Sequence, residues 1–151
     1  MSKAGQSRAF RTVDVDQFDE DKYEEQDDEN EQSVAGPNES DVNGLLAQGK
    51  NTDALKSALK NAPVGSKDQN LKNKAVLLVT RVLASFKTNE IDSCIKSLDS
   101  MTLDLLMKYI YKGFENPSEG SSGALLAWHE KVFATGGLGT IMRVLTDRKC
   151  V

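Results

Sequence analysis

From Ser40 onward the chain keeps one apolar rhythm, the three-to-four-residue spacing of a helix face, and breaks it only at stop residues. That periodicity restricts the fold more than any other feature of the sequence. "SDVNGLLAQG" opens on a capping residue, sets Leu45 and Leu46 on one face and stops at Gly49. "NTDALKSALKNAP" takes Asn51 as N-cap, carries Leu55, Ala58 and Leu59 at helical spacing, and cannot pass Pro63. "SKDQ", from Ser66, is a capping box. The helix it opens bears a continuous stripe of Leu71, Ala75, Leu78, Val79, Val82, Leu83 and Phe86. A shorter helix from about Glu90 turns Ile91, Cys94, Ile95 and Leu98 inward.

"MTLDLLMKYIYKGF" is the most apolar segment, opened by Thr102 and closed by Gly113, and its nearly all-round apolarity gives it a central place. After the loop "NPSEGSSG", "ALLAWHEKVFATGG" runs to Gly136 and "TIMRVLTDR" forms the last helix. The expected fold is all-α. Residues 40–151 form a helical body of about seven short helices in a compact antiparallel, solenoid-like stack, without an exact repeat.

Residues 1–39 are of another kind. Asp14 to Glu31 contain eleven acidic residues and one basic, a local charge of −10, within a chain whose total is −4. The linker over 24–39 is too poor in large apolar side chains to offset the entropy of ordering, so it is expected to be disordered. The stretch 10–23 differs, because Phe10, Val13, Val15, Phe18 and Tyr23 recur among the aspartates. A solvated spacer needs no such anchors, whereas a segment that docks on a partner does.

A search for chemistry finds little. His129 is the only histidine and has no second ligand at metal spacing. "GGLG" at 136–139 follows a helix and lacks the lysine of a phosphate loop. No serine lies in a nucleophile elbow, and the acidic run lacks calcium-loop spacing. No catalytic residue, metal or cofactor is expected. The two cysteines, Cys94 and Cys150, are far apart, Cys94 reads as a small core residue, and no apolar run is long enough to cross a membrane. A soluble, intracellular binding protein is the expectation, with no nucleic-acid partner, since the body shows no dense cationic stripe. Most aromatics at helical spacing belong to the core, but those left over mark interfaces, and an exposed apolar patch in the last three helices, near Tyr109, Trp128 and Ile141, is the candidate.

Three long strings carry a resemblance: "RTVDVDQFDEDKY", "LLMKYIYKGFE" at 105–115 and "LLAWHEKVFATGGLGTIMRVLTDRK" at 125–149. With "ALKNAPVGSK" and the acidic arm, they resemble the subunit 5 family of the actin-related protein 2/3 complex along essentially the whole chain. The departures, "EEQDDENEQSV" and "DRKCV", leave the paralogue open. The resemblance implies a non-catalytic subunit of an assembly that nucleates branched actin filaments. It implies a body seated on the β-propeller subunit 1 and on subunit 4, and an arm that reaches the actin-related protein 2 subunit. Phe10, Arg11, Val13, Val15, Phe18 and Tyr23 would then be the arm's contacts. It further implies a cytoplasmic location in the cytoskeleton at branched actin, in lamellipodia and other cell projections, and leaves a nuclear pool open. The reading from residues alone keeps an alternative, a free-standing helical adaptor whose acidic arm binds basic partner proteins. The apolar anchors count against it.

Overall fold

A computed structural model describes residues 36–117, 120–147 and 149–151. Its helices are α1 (Glu39–Ala47), α2 (Asn51–Lys60), α3 (Gln69–Ala84), α4 (Thr88–Lys96), α5 (Ser100–Glu115) and α6 (Ser121–Thr146), and no strand occurs among the described residues. The body is all-α, as the periodicity requires.

Six helices stand where about seven were expected, and the difference lies in α6. Gly137 breaks it with φ 67° and ψ −169°, a backbone region open essentially to glycine alone. The two sides of the break run in different directions along α5. Before it, Leu125 lies over Gly113 and His129 meets Tyr111, so α6 ascends as α5 descends. Beyond it, Arg143 pairs with Asp104 and Asp147 with Lys108, in the same order on both segments. The two predicted final helices are therefore present, joined by one glycine rather than by a loop.

The apolar stripes define one core. Leu55, Ala58 and Leu59 of α2 meet Val79, Val82 and Leu83 of α3, Ile91, Cys94 and Ile95 of α4, Leu106, Met107 and Ile110 of α5, and Leu125 and Val132 of α6. α5 packs chiefly on α6, while α3 touches α2, α5 and α6. Burial pushes the Cys94 thiol up from its ordinary value, in keeping with a packing role.

Several helix ends differ from the reading of the sequence, each for a local reason. α1 is capped by Asn38, whose side chain accepts from the Ser40 N–H at 3.1 Å, so the start lies ahead of Ser40. α2 has Lys50 at the cap position without a side-chain bond, and the Asn51 amide instead donates to the Ser85 carbonyl at 3.4 Å. In "SKDQ" the cap is Asp68, which accepts from the Asn70 and Leu71 N–H groups at 2.9 and 3.3 Å. Ser66 accepts from the Asp68 N–H, outside the helix. α5 begins at Ser100, one turn's length of bonding held by the Thr102 hydroxyl on the Asp99 carboxylate. It also continues past Gly113 to Glu115. Gly113 is a packing position rather than a stop: a Cβ there would come within 2.9 Å of the Leu125 side chain.

Candidate partner-binding surface

Tyr109 and Trp128, expected at an interface, belong to the core. Trp128 is fully buried, its Nε1–H donates to the Leu83 carbonyl at 3.1 Å, and Phe86 packs edge-on at 5.0 Å. Its indole closes the seam between α3 and α6, which a leftover aromatic would not do. Tyr109 is equally enclosed, and its hydroxyl finds no hydrogen-bond partner among the described residues. Burial pushes that phenol well above its ordinary range. An unpaired buried hydroxyl carries a desolvation cost without a compensating bond. Tyr109→Phe is therefore expected to hold stability level or raise it by up to about 1 kcal/mol, read as the urea midpoint of the full chain; a loss above that would reveal a hidden partner. Ile141 is half-buried, so one flank of it remains available.

The apolar groups that do face solvent lie elsewhere. Met101 is 81% exposed, Leu126 60%, Phe133 41%, Leu138 65%, Met142 51% and Leu145 69%, and Leu77 stands apart on α3 at 57%. Leu138, Met142 and Leu145 stand at i, i+4 and i+7 and so share one face of the segment after the Gly137 break. Leu126 and Phe133, seven residues apart, share a face of the segment before it. These are side chains that the sequence reading missed. The signal was present in "LGTIMRVLT", where apolar residues occupy both faces: Ile141 and Val144 pack against the core while Leu138, Met142 and Leu145 do not.

Beside Phe133 sits an aromatic cluster that joins α5 to α6. The His129 ring stacks on Phe133 with an interplanar angle of 8° and meets Tyr111 edge-on. The Tyr111 hydroxyl and His129 Nε2 are hydrogen-bonded at 3.2 Å, and Phe114 packs on both rings. His129 is thus half-buried and engaged with aromatics on the edge of the exposed surface. Ion pairs border it: Lys131 holds Asp92 of α4 at 3.1 Å, and Arg143 grips Asp104 with two bonds of 2.6 and 2.9 Å. A cleft of about 290 Å³ where α2 begins is lined by Lys50, Asn51, Asp53, Phe86, Glu90 and Ser93. The Glu90 carboxylate there is turned to the Lys87 N–H at the start of α4.

The arm residues Phe10, Arg11, Val13, Val15, Phe18 and Tyr23 lie outside the described residues. Among the described ones, no group of histidines, cysteines and carboxylates is arranged to hold a metal ion, and no helix is long and apolar enough to cross a membrane.

The model of one family, the ARP2/3 complex 16 kDa subunit (p16-Arc), matches residues 9–151. The chain belongs to that family. It is 51% identical to the actin-related protein 2/3 complex subunit 5-B of Xenopus laevis, and the match covers both chains completely. It is 50% identical, again over the whole of both, to the actin-related protein 2/3 complex subunit 5-like protein of Homo sapiens. A more distant relative is the probable actin-related protein 2/3 complex subunit 5 of Caenorhabditis elegans, 36% identical over 93% of this chain and 95% of its own. The matched residues of this p16-Arc chain include both the arm anchors and the exposed face of α6.

Proposed function

We propose that this chain is a non-catalytic structural subunit of the actin-related protein 2/3 complex, and that through the complex it supports nucleation of branched actin filaments. The observation that carries the reading is the family match, which runs through nearly the whole chain rather than one motif. In this reading the body docks through the exposed apolar face of α6, with Met101 and the free flank of Ile141 beside it. Its neighbours are the β-propeller subunit 1 and subunit 4, and the arm holds the actin-related protein 2 subunit. Residues 24–37, ahead of the Asn38 cap of α1, supply slack of at most about 45 Å when extended, and holding a partner on such a tether raises its local concentration without any chemical step. The chain works in the cytoplasm, at branched actin in lamellipodia and other projections.

The test is purification of the tagged chain from cells in high salt. Two actin-related proteins should remain bound in fixed proportion. A chain that comes out alone, or with basic proteins released by salt, would favour the free adaptor. A second arm of the test replaces Leu138, Met142 and Leu145 with glutamate. Each covered side chain is worth roughly 1.5–3 kcal/mol, so retention in the complex should fall by well over tenfold. The helical circular-dichroism signal should stay, because all three side chains face solvent in the isolated fold. Undiminished retention would place the body's interface on another face.

A further inference from the structure

We infer that the last segment of α6, residues 138–146, is a hinged element that opens as a unit about Gly137 and is latched shut by Asp147 and residues 149–151. Four observations meet in it. The first is the pivot, since the Gly137 backbone at φ 67° and ψ −169° interrupts the helix at a single residue. The second is the distribution of burial. Of the five buried residues of α6, Ser121, Leu125, Trp128 and Val132 precede the pivot and only Thr140 follows it. Ile141 and Val144 pack at the edge of the core, while Leu138, Met142 and Leu145 leave it bare on the other side. A segment with so little enclosed apolar surface belongs to the low end of local stability.

The third observation is polar. Arg143 is tied to Asp104 of α5 by two bonds, which fixes the segment laterally. The fourth is the latch. Lys108 of α5, its side chain only 12% exposed, binds both the Asp147 carboxylate and the Lys149 carbonyl, the latter at 2.9 Å. The Lys149 N–H returns to Asp147 at 3.0 Å. The Cys150 carbonyl accepts from the Gly65 N–H at 3.4 Å, and the Val151 side chain ends in the core, 4% exposed. Asp147 and residues 149–151 thereby tie the end of α6 to α5 and to the turn before α3, and Val151 adds buried apolar surface that residues 138–146 lack. The bond from Lys108 holds the Asp147 carboxyl below the usual carboxylate range.

The consequence for assembly rests on the proposed docking face. A partner that covers Leu138, Met142 and Leu145 would bind only the latched position, so the latch sets the fraction of chains ready to dock.

Native-state hydrogen exchange on the full chain tests the hinge directly. In sub-denaturing urea the amides of 138–146 should exchange together, at least about a hundredfold faster than those of Val79 and Val82 in α3. Exchange of both sets at one common rate would overturn the inference, since the segment would then open only when the body unfolds. Lys108→Met should quicken 138–146 by about tenfold, the effect of removing a charged hydrogen-bonding partner, and speed α3 by no more than the same factor, because the globally unfolded state lacks the clamp as well. No change in 138–146 would show that the clamp does not hold the segment and would equally overturn it. Should Lys108→Met fail to fold, the unmodified chain in urea still decides. These readings concern the free chain. Failure of the chain to enter the complex would sink the proposed function while leaving the hinge intact.

Discussion

Trp128→Ala will cost the body most of its stability. The indole is wholly enclosed, and its removal leaves a cavity between α3 and α6 next to Phe86. Truncation of a buried tryptophan typically costs about 3–5 kcal/mol, against a total of about 5–15 kcal/mol for a domain of this kind. A fall of roughly 15–25 °C in the thermal midpoint is expected, with unfolding at physiological temperature if the body starts near the lower bound. Trp128→Phe separates the two contributions. It keeps much of the packing and deletes the bond to the Leu83 carbonyl, yet that carbonyl also accepts from the Ser85 and Phe86 N–H groups at the end of α3. The polar part of the loss should therefore be the smaller, and the phenylalanine variant should stay folded. Near-equal losses for the two variants would mean that the hydrogen bond, not the packed ring, holds the seam.

The buried place of Trp128 separates what a helical pattern reveals from what it hides. Spacing tells which residues share a face, and the stripes of α2, α3 and α4 are buried as their periodicity demands. A helix with apolar residues on two faces gives no such direction. In α5 and α6, Tyr109 and Trp128 could face core or partner, and the choice depends on which neighbour arrives from afar in the chain. Trp128 meets Leu83, forty-five residues away, and no local rule contains that contact. The exposed Leu138, Met142 and Leu145 show the same ambiguity with the opposite outcome. The latch was invisible for a related reason. "DRKCV" reads as a polar end, and only the approach of Lys108 and Gly65 gives Asp147 and Val151 their partners. Where two capping residues stand close together, as with Ser66 and Asp68, the helix end shifts by a few residues from the sequence signal, because the backbone chooses between them by tertiary fit.

The arm supplies the other large expected effect. Changing Val13, Val15 and Phe18 together to serine keeps every charge of the acidic stretch and removes three apolar side chains. Under the proposed tether, burial against the actin-related protein 2 subunit is worth roughly 1.5–3 kcal/mol for each of the three. Loss of even half that sum weakens capture by well over tenfold. The variant body should still enter the complex, because its own docking face is untouched. The complex should then shed one actin-related protein on dilution and nucleate branches poorly, which size-exclusion chromatography and a branching assay would read. Neutralising Glu24, Glu25, Asp27 and Asp28 provides the contrast. In the proposed tether these charges belong to the slack, and at physiological salt exposed charges farther apart than about 8 Å are largely screened from one another. The neutral linker should therefore retain the partner within about twofold, since weak screened pairs contribute little. The reverse pattern, with the anchor variant holding its partner and the neutral linker losing it, would mean that the arm binds by charge. The regular recurrence of valine and phenylalanine among the aspartates would then need another explanation.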